Sequence, residues 1–192
     1  MNYLQQLFQV IIDPEYTTIT LYDSPRLRES FMVVSAYALF TSLDAFFSGF
    51  IQSETFGVGL LSFLISGLTT YLFWIFLALA FHAAADMMGG LGEFPHALGF
   101  VGLGTAPLVF TSFISIILTL LSVLVFPDDD SRLLPNISVG LTLLGLAWGA
   151  PGVICYFGMK NAEKLHPLKA FAVSFTLTAA LVLLVLYKSD II

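Results

Sequence analysis

The chain has 192 residues, of which 58 % are hydrophobic and only 10 % charged, against roughly a quarter charged in soluble domains. So few charges cannot cover a water-facing surface, so most of the chain is expected to meet lipid. The formal net charge is −6 and no basic stripe is present, which excludes a nucleic-acid partner, because phosphates need clustered Lys and Arg.

The opening residues MNYLQQLFQVIID lack the positive start and small-residue cleavage site of a secretory signal. Leu4, Leu7, Phe8 and Ile11 fall at helical spacing, with Gln5, Gln6 and Gln9 opposite. Residues 3–12 therefore predict an amphipathic helix, too short to span, lying in the membrane interface. Its polar face carries no Lys or Arg, so attraction to anionic lipid is expected to be weak. Asp13-Pro14-Glu15 has the pattern of an N-cap, a first-turn proline and an acidic first turn. It predicts a second short helix to about Tyr22. Ser24-Pro25 repeats that start signal before the first long apolar run. Residues 1–29 thus read as one or two N-terminal interfacial helices, and residues 30–192 as a transmembrane domain.

Five runs have the length of about 20 apolar residues that crossing a bilayer requires. They cover about 30–51, 57–85, 97–126, 136–158 and 168–187. Backbone polar groups in lipid must be satisfied within their own element, so helices are the reading for runs of this length. The predicted fold class is all-α: a polytopic membrane bundle of five transmembrane helices. Five Lys and Arg flank the N-terminal side (Arg26, Arg28, Lys160, Lys164, Lys169) and two the other (Arg132, Lys188). That bias predicts a cytoplasmic N-terminus and an outside C-terminus, with Asp128, Asp129 and Asp130 outside.

Several spans carry a polar or small-residue face. Tyr37, Thr41, Asp44 and Ser48 share one face of the first, and Ser112, Ser115, Thr119 and Ser122 one face of the third. In the fourth, Gly145, Gly149 and Gly152 form a small-residue line with Ser138, Thr142 and Tyr156. Such faces permit close backbone approach and hydroxyl bonds across helices, so they are expected to point inward; the Gly145/Gly149 line equally suits self-association.

The stretch FHAAADMMGGLGEFPHALGFVGLGTAPL joins the second and third spans. Its Gly89-Gly90 turn and its Gly102–Pro107 segment resemble the Yip-one family of five-span membrane proteins (Ypt/Rab-interacting proteins and their prokaryotic relatives). VIIDPEYTT resembles that family's start, and LHPLKAFAVSFTL its last-span entry. The aspartate-leucine-tyrosine-glycine-proline motif of the longer eukaryotic members is absent, so a short prokaryotic-type member is the nearer match. The resemblance implies an N-in, C-out, five-span protein in a prokaryotic cytoplasmic membrane, with no established chemistry.

Candidate chemistry falls on few residues. Asp44 is the one carboxylate well inside a predicted span, and an unpaired charge there costs about 2.5–3.5 kcal/mol on insertion scales. It reads either as a proton or cation site, or as a carboxyl tying helices together through a Ser or Thr of the third span. His82 and Asp86 share a helix face, and Glu93 and His96 follow the glycine turn. These four are donors of the type that holds a divalent metal, although no strict metal motif is present. Pro107 and Pro151 are candidate helix breaks. Nucleophile–base, phosphate-loop and dinucleotide motifs are lacking. The leading reading is a non-enzymatic integral membrane protein without a cofactor, organising protein partners or lipids. The alternatives are a small ion-coupled permease using Asp44 and the proline breaks, and a metal-dependent enzyme using His82, Asp86, Glu93 and His96.

Overall fold

The structure is a computed structural model and describes residues 3–19, 21, 23–125, 142–146, 149 and 152–188. All regular structure among them is helical. The elements are α1 (Tyr3–Ile12), α2 (Pro14–Ile19), α3 (Leu27–Ser53), α4 (Phe56–Met87), α5 (Phe94–Gly104), α6 (Ala106–Val125), α7 (Val153–Asn161) and α8 (Pro167–Lys188).

Both N-terminal helices form, α1 over its predicted residues and α2 ending at Ile19 rather than near Tyr22, with Leu21 in a turn. Asp13 caps α2, its Oδ1 accepting from the Tyr16 N–H at 3.0 Å, and Pro14 takes the first helical position, where a missing N–H costs nothing. Phe8, Ile12, Tyr16 and Ile19, at spacings of four, four and three, all point outward and are at least half exposed. The start signal at Ser24-Pro25 is not used. Helix α3 begins two residues later, after Arg26 in the left-handed region with φ of 45°, because the Pro25 carbonyl is docked against Gly99 of α5.

Four stretches are long and apolar enough to cross a bilayer: Leu27–Ile51, Phe56–Met87, Phe94–Leu121 and Pro167–Tyr187. The count among the described residues is therefore four rather than five, because ten of the 23 residues of the expected span at 136–158 lie outside them. Its described parts are a helical piece at 142–146, Gly149, Gly152 and α7, which runs three residues past the expected end.

The expected third span is two helices meeting at Thr105. Pro107 has no N–H to give and its ring would strike the Leu103 carbonyl in a continuous helix. The chain instead tightens, with the Thr105 N–H and hydroxyl both donating to Gly102 O at 3.1 and 2.7 Å. At the end of α4, Gly89 takes φ of 84°. Its N–H donates to Asp86 O at 3.0 Å and that of Gly90 to Ala85 O at 2.8 Å. This paired closure needs a left-handed residue, which glycine adopts without a Cβ penalty.

Directions follow from side-chain bonds. Ser30 Oγ donates to Gly99 O at 2.7 Å, and Phe40 meets Phe113 with ring centroids 5.5 Å apart, so α3 runs alongside α5 and α6 in the same sense. Helix α4 returns antiparallel to α3, and Lys169 Nζ donates to Met88 O at 2.7 Å, so α8 starts at the end where α4 finishes. Helix α5 is the buried centre: Phe100 is fully enclosed and meets Phe81 edge-on at 5.7 Å, with Ile154 and Met159 of α7 in the same core. Phe100 is also pressed against the bare backbone of Gly158. The outward faces of α3, α4 and α8 are apolar, including Leu64, Leu68, Phe76 and Phe175. That is the inverse of a water-soluble surface and suits hydrocarbon.

Candidate functional site

Asp44 lies two-thirds of the way along α3. Its Oδ1 accepts from Thr119 Oγ1 at 2.9 Å and its Oδ2 from Ser115 Oγ at 3.4 Å, both on α6. The four-residue spacing of Ser115 and Thr119 puts both hydroxyls on one helix face, so one carboxyl engages two turns of the neighbour. One turn earlier on α3, Thr41 and Thr70 hydroxyls meet at 3.3 Å, and further along the Tyr71 hydroxyl donates to Ser35 Oγ at 2.8 Å. The intramembrane polar groups thus bond helix to helix. The break at Pro107 is elsewhere: from Thr105 to Thr119 is about 21 Å at the usual helical rise. Asp44 and the break therefore form no single site.

The four residues weighed as metal ligands do not converge. Among the described residues no group of three or more His, Cys, Asp or Glu is gathered in a way that could hold an ion. The Gly89 turn is the reason. It carries Glu93 and His96 to the start of α5, where they cap each other: the Glu93 side chain accepts from the His96 N–H, and the Glu93 N–H donates to His96 Nδ1 at 2.9 Å. Asp86 stays exposed.

His82 instead faces a residue that the sequence reading passed over. Its Nδ1 is 3.6 Å from Glu163 Oε1, and neither atom has a hydrogen-bond partner. Glu163 follows α7 and is 1 % exposed, the most enclosed charged side chain among the described residues. Its carboxylate also rests against Gly92, in the space a Cβ there would fill. The loop after α7 is fastened to the loop after α4 by the Leu91 N–H donating to Glu163 O at 2.9 Å. Burial pushes the Glu163 carboxyl above its ordinary range, against the opposing pull of His82, His96 and the Gly92 N–H. Glu163 thereby joins the ends of α4, α5 and α7 at one proton-sensitive point. The cue was slight: a carboxylate among the lysines of 160–169, separated in the chain from both His82 and Gly92.

The small-residue line faces the interior where it is described. A Cβ on Gly145 would come within 2.7 Å of Leu108 Cδ2, and one on Gly149 would meet the Gly104 carbonyl, with Pro107 beside it at 3.2 Å. These glycines thus pack on the α5–α6 break. Gly152 lines a groove between α7 and α8. Pro151 lies outside the described residues.

An all-helical bundle with several membrane-length apolar helices, bonded internally through hydroxyls and one carboxyl, defines a multi-pass integral membrane protein. The Yip1 domain family matches residues 8–187, nearly the whole chain, and the protein belongs to that family. Comparison with curated proteins and with solved structures found no match.

Proposed function

We propose that the protein is a non-enzymatic scaffold of five spans in a prokaryotic cytoplasmic membrane, with its N-terminus in the cytoplasm and its C-terminus outside. Its role is to organise protein partners or lipids within the bilayer. The observation that supports this reading most is the use of Asp44: both oxygens engage hydroxyls of a neighbouring helix, the arrangement of a structural tie rather than of a transport or catalytic group. The lysine and arginine bias supports the orientation. Under this reading the chain needs no cofactor, and its outward apolar faces are the surfaces that meet partners.

Photocrosslinking in native membranes, followed by identification of co-purified proteins and lipids, tests it. Recurrent capture of the same partners or lipid class is expected. Capture of nothing but the chain itself would remove the organising role. Ion flux in reconstituted vesicles, lost in Asp44→Asn, would replace it with a permease.

A further inference from the structure

Two segments far apart in the chain close on each other at His82 and Glu163. His82 stands near the end of α4, and Glu163 follows α7. Their facing atoms, Nδ1 and Oε1, are 3.6 Å apart, buried and without a hydrogen-bond partner. The groups placed to answer them are therefore each other.

Proton count sets what this closed joint encloses. With one added proton the pair is neutral overall, either as a carboxylic acid beside an imidazole or as a carboxylate beside an imidazolium. Without it, a net negative charge is shut into a space where Glu163 is 1 % exposed. An enclosed charge short of partners is costly. The neighbouring charges do not remove that cost. His82, His96 and the Gly92 N–H all favour the carboxylate, yet burial outweighs them. Asp86, one turn beyond His82, is exposed, and so is Lys164. Lys169 is engaged on Met88 O, and the Glu93 side chain on the His96 N–H.

The covering segment is also strained. Lys164 directly follows Glu163 and sits in the left-handed region with φ of 55°, which a non-glycine residue adopts at a cost. Docking of Glu163 helps to hold it there. The carboxylate occupies the space beside Gly92, and the Leu91 N–H donates to Glu163 O at 2.9 Å.

We infer that this joint is a proton-operated latch. While the His82–Glu163 pair keeps its proton, residues 162–166 stay fastened to residues 88–93; loss of the proton parts the two loops without unfolding the bundle. The inference rests on the geometry of the joint and not on a partner-organising role, so failure of either leaves the other standing.

The test follows amide exchange of the full chain in nanodiscs from about pH 5 to about pH 8, each rate corrected for the intrinsic rate at that pH. The Leu91 N–H is expected to lose protection as pH rises, by about tenfold per pH unit above the titration of the pair, the slope for one proton. Phe100 and Val101, in the core of α5, should keep theirs. Glu163→Gln, which carries no charge at any pH, should hold Leu91 protected throughout. Lys164→Gly, which relieves the left-handed strain, should move the loss to higher pH. Constant Leu91 protection in wild type, loss of protection on acidification, a wild-type profile in Glu163→Gln, or exchange of Phe100 and Val101 rising in step with Leu91 each overturns the inference. If Glu163→Gln fails to fold, the wild-type profile and the Lys164→Gly shift decide.

Discussion

Thr119 donates its hydroxyl to Asp44 Oδ1 at 2.9 Å, joining α6 to α3 in the interior of the bundle. Removing the donor with Thr119→Val is expected to cost about 0.5–1.5 kcal/mol, the range of interhelical hydrogen bonds in membranes. Asp44→Ala should cost more, because Ser115 loses its acceptor too. A double-mutant cycle in detergent unfolding measures the coupling. Strict additivity of the two substitutions would mean that the pair contributes nothing.

Gly99 lies where the Pro25 carbonyl meets α5. A methyl there has to displace backbone rather than a flexible side-chain tip. Gly99→Ala is therefore expected to destabilise by about 1–3 kcal/mol, as overpacking of close-packed sites does. Gly57, with nothing within 4 Å of a Cβ, is the matched control, where Ala should be neutral or better. Equal melting of the two variants would refute the close packing of α5 against the segment before α3.

The Glu163 carboxyl is raised by burial, so the folded protein holds this proton more tightly than the unfolded chain. Unfolding then releases a proton, and the stabilisation is fully present below the ordinary carboxylate range. It fades as pH rises through the raised folded value. Melting followed from about pH 5 to about pH 8 should show stability declining in wild type, with a flatter profile in Glu163→Gln. Parallel profiles would sink the assignment.

Asn161 Nδ2 donates to Thr18 Oγ1 at 2.9 Å and Lys160 Nζ to Glu15 Oε1 at 2.7 Å, so the end of α7 carries α2. Asn161→Ala should speed proteolysis between α2 and α3 by about fivefold, while the main unfolding transition stays put. Loss of the main transition together with the cleavage would show that α2 is part of the cooperative core.

The apolar runs announced α3, α4 and α8 because lipid imposes length and hydrophobicity on a spanning helix, and both ends of each came within three residues of expectation. Pro107 announced the break, since a missing N–H is a local fact. Serine and threonine spacing on the third span also pointed at Asp44, because helical periodicity alone puts Ser115 and Thr119 on one face. Long-range geometry was not legible. Nothing in the order of residues says that Glu163 closes onto His82, or that Ser24-Pro25 yields its start signal to a docking contact with Gly99. Nor does it say that the turn at Gly89 sends Glu93 and His96 to cap their own helix, so that the grouping with His82 and Asp86 weighed as an alternative is not seen among the described residues.

Helix α4 has 32 residues, about 48 Å of rod, in a slab whose oily layer is about 30 Å deep. Even with considerable tilt, part of it must overhang the bilayer. His82 is five residues from the end of that rod, and its contact with Glu163 is enclosed there, with Glu163 only 1 % exposed. A rod of this length thus sets the joint at Glu163 close to one end of the molecule and far from its middle.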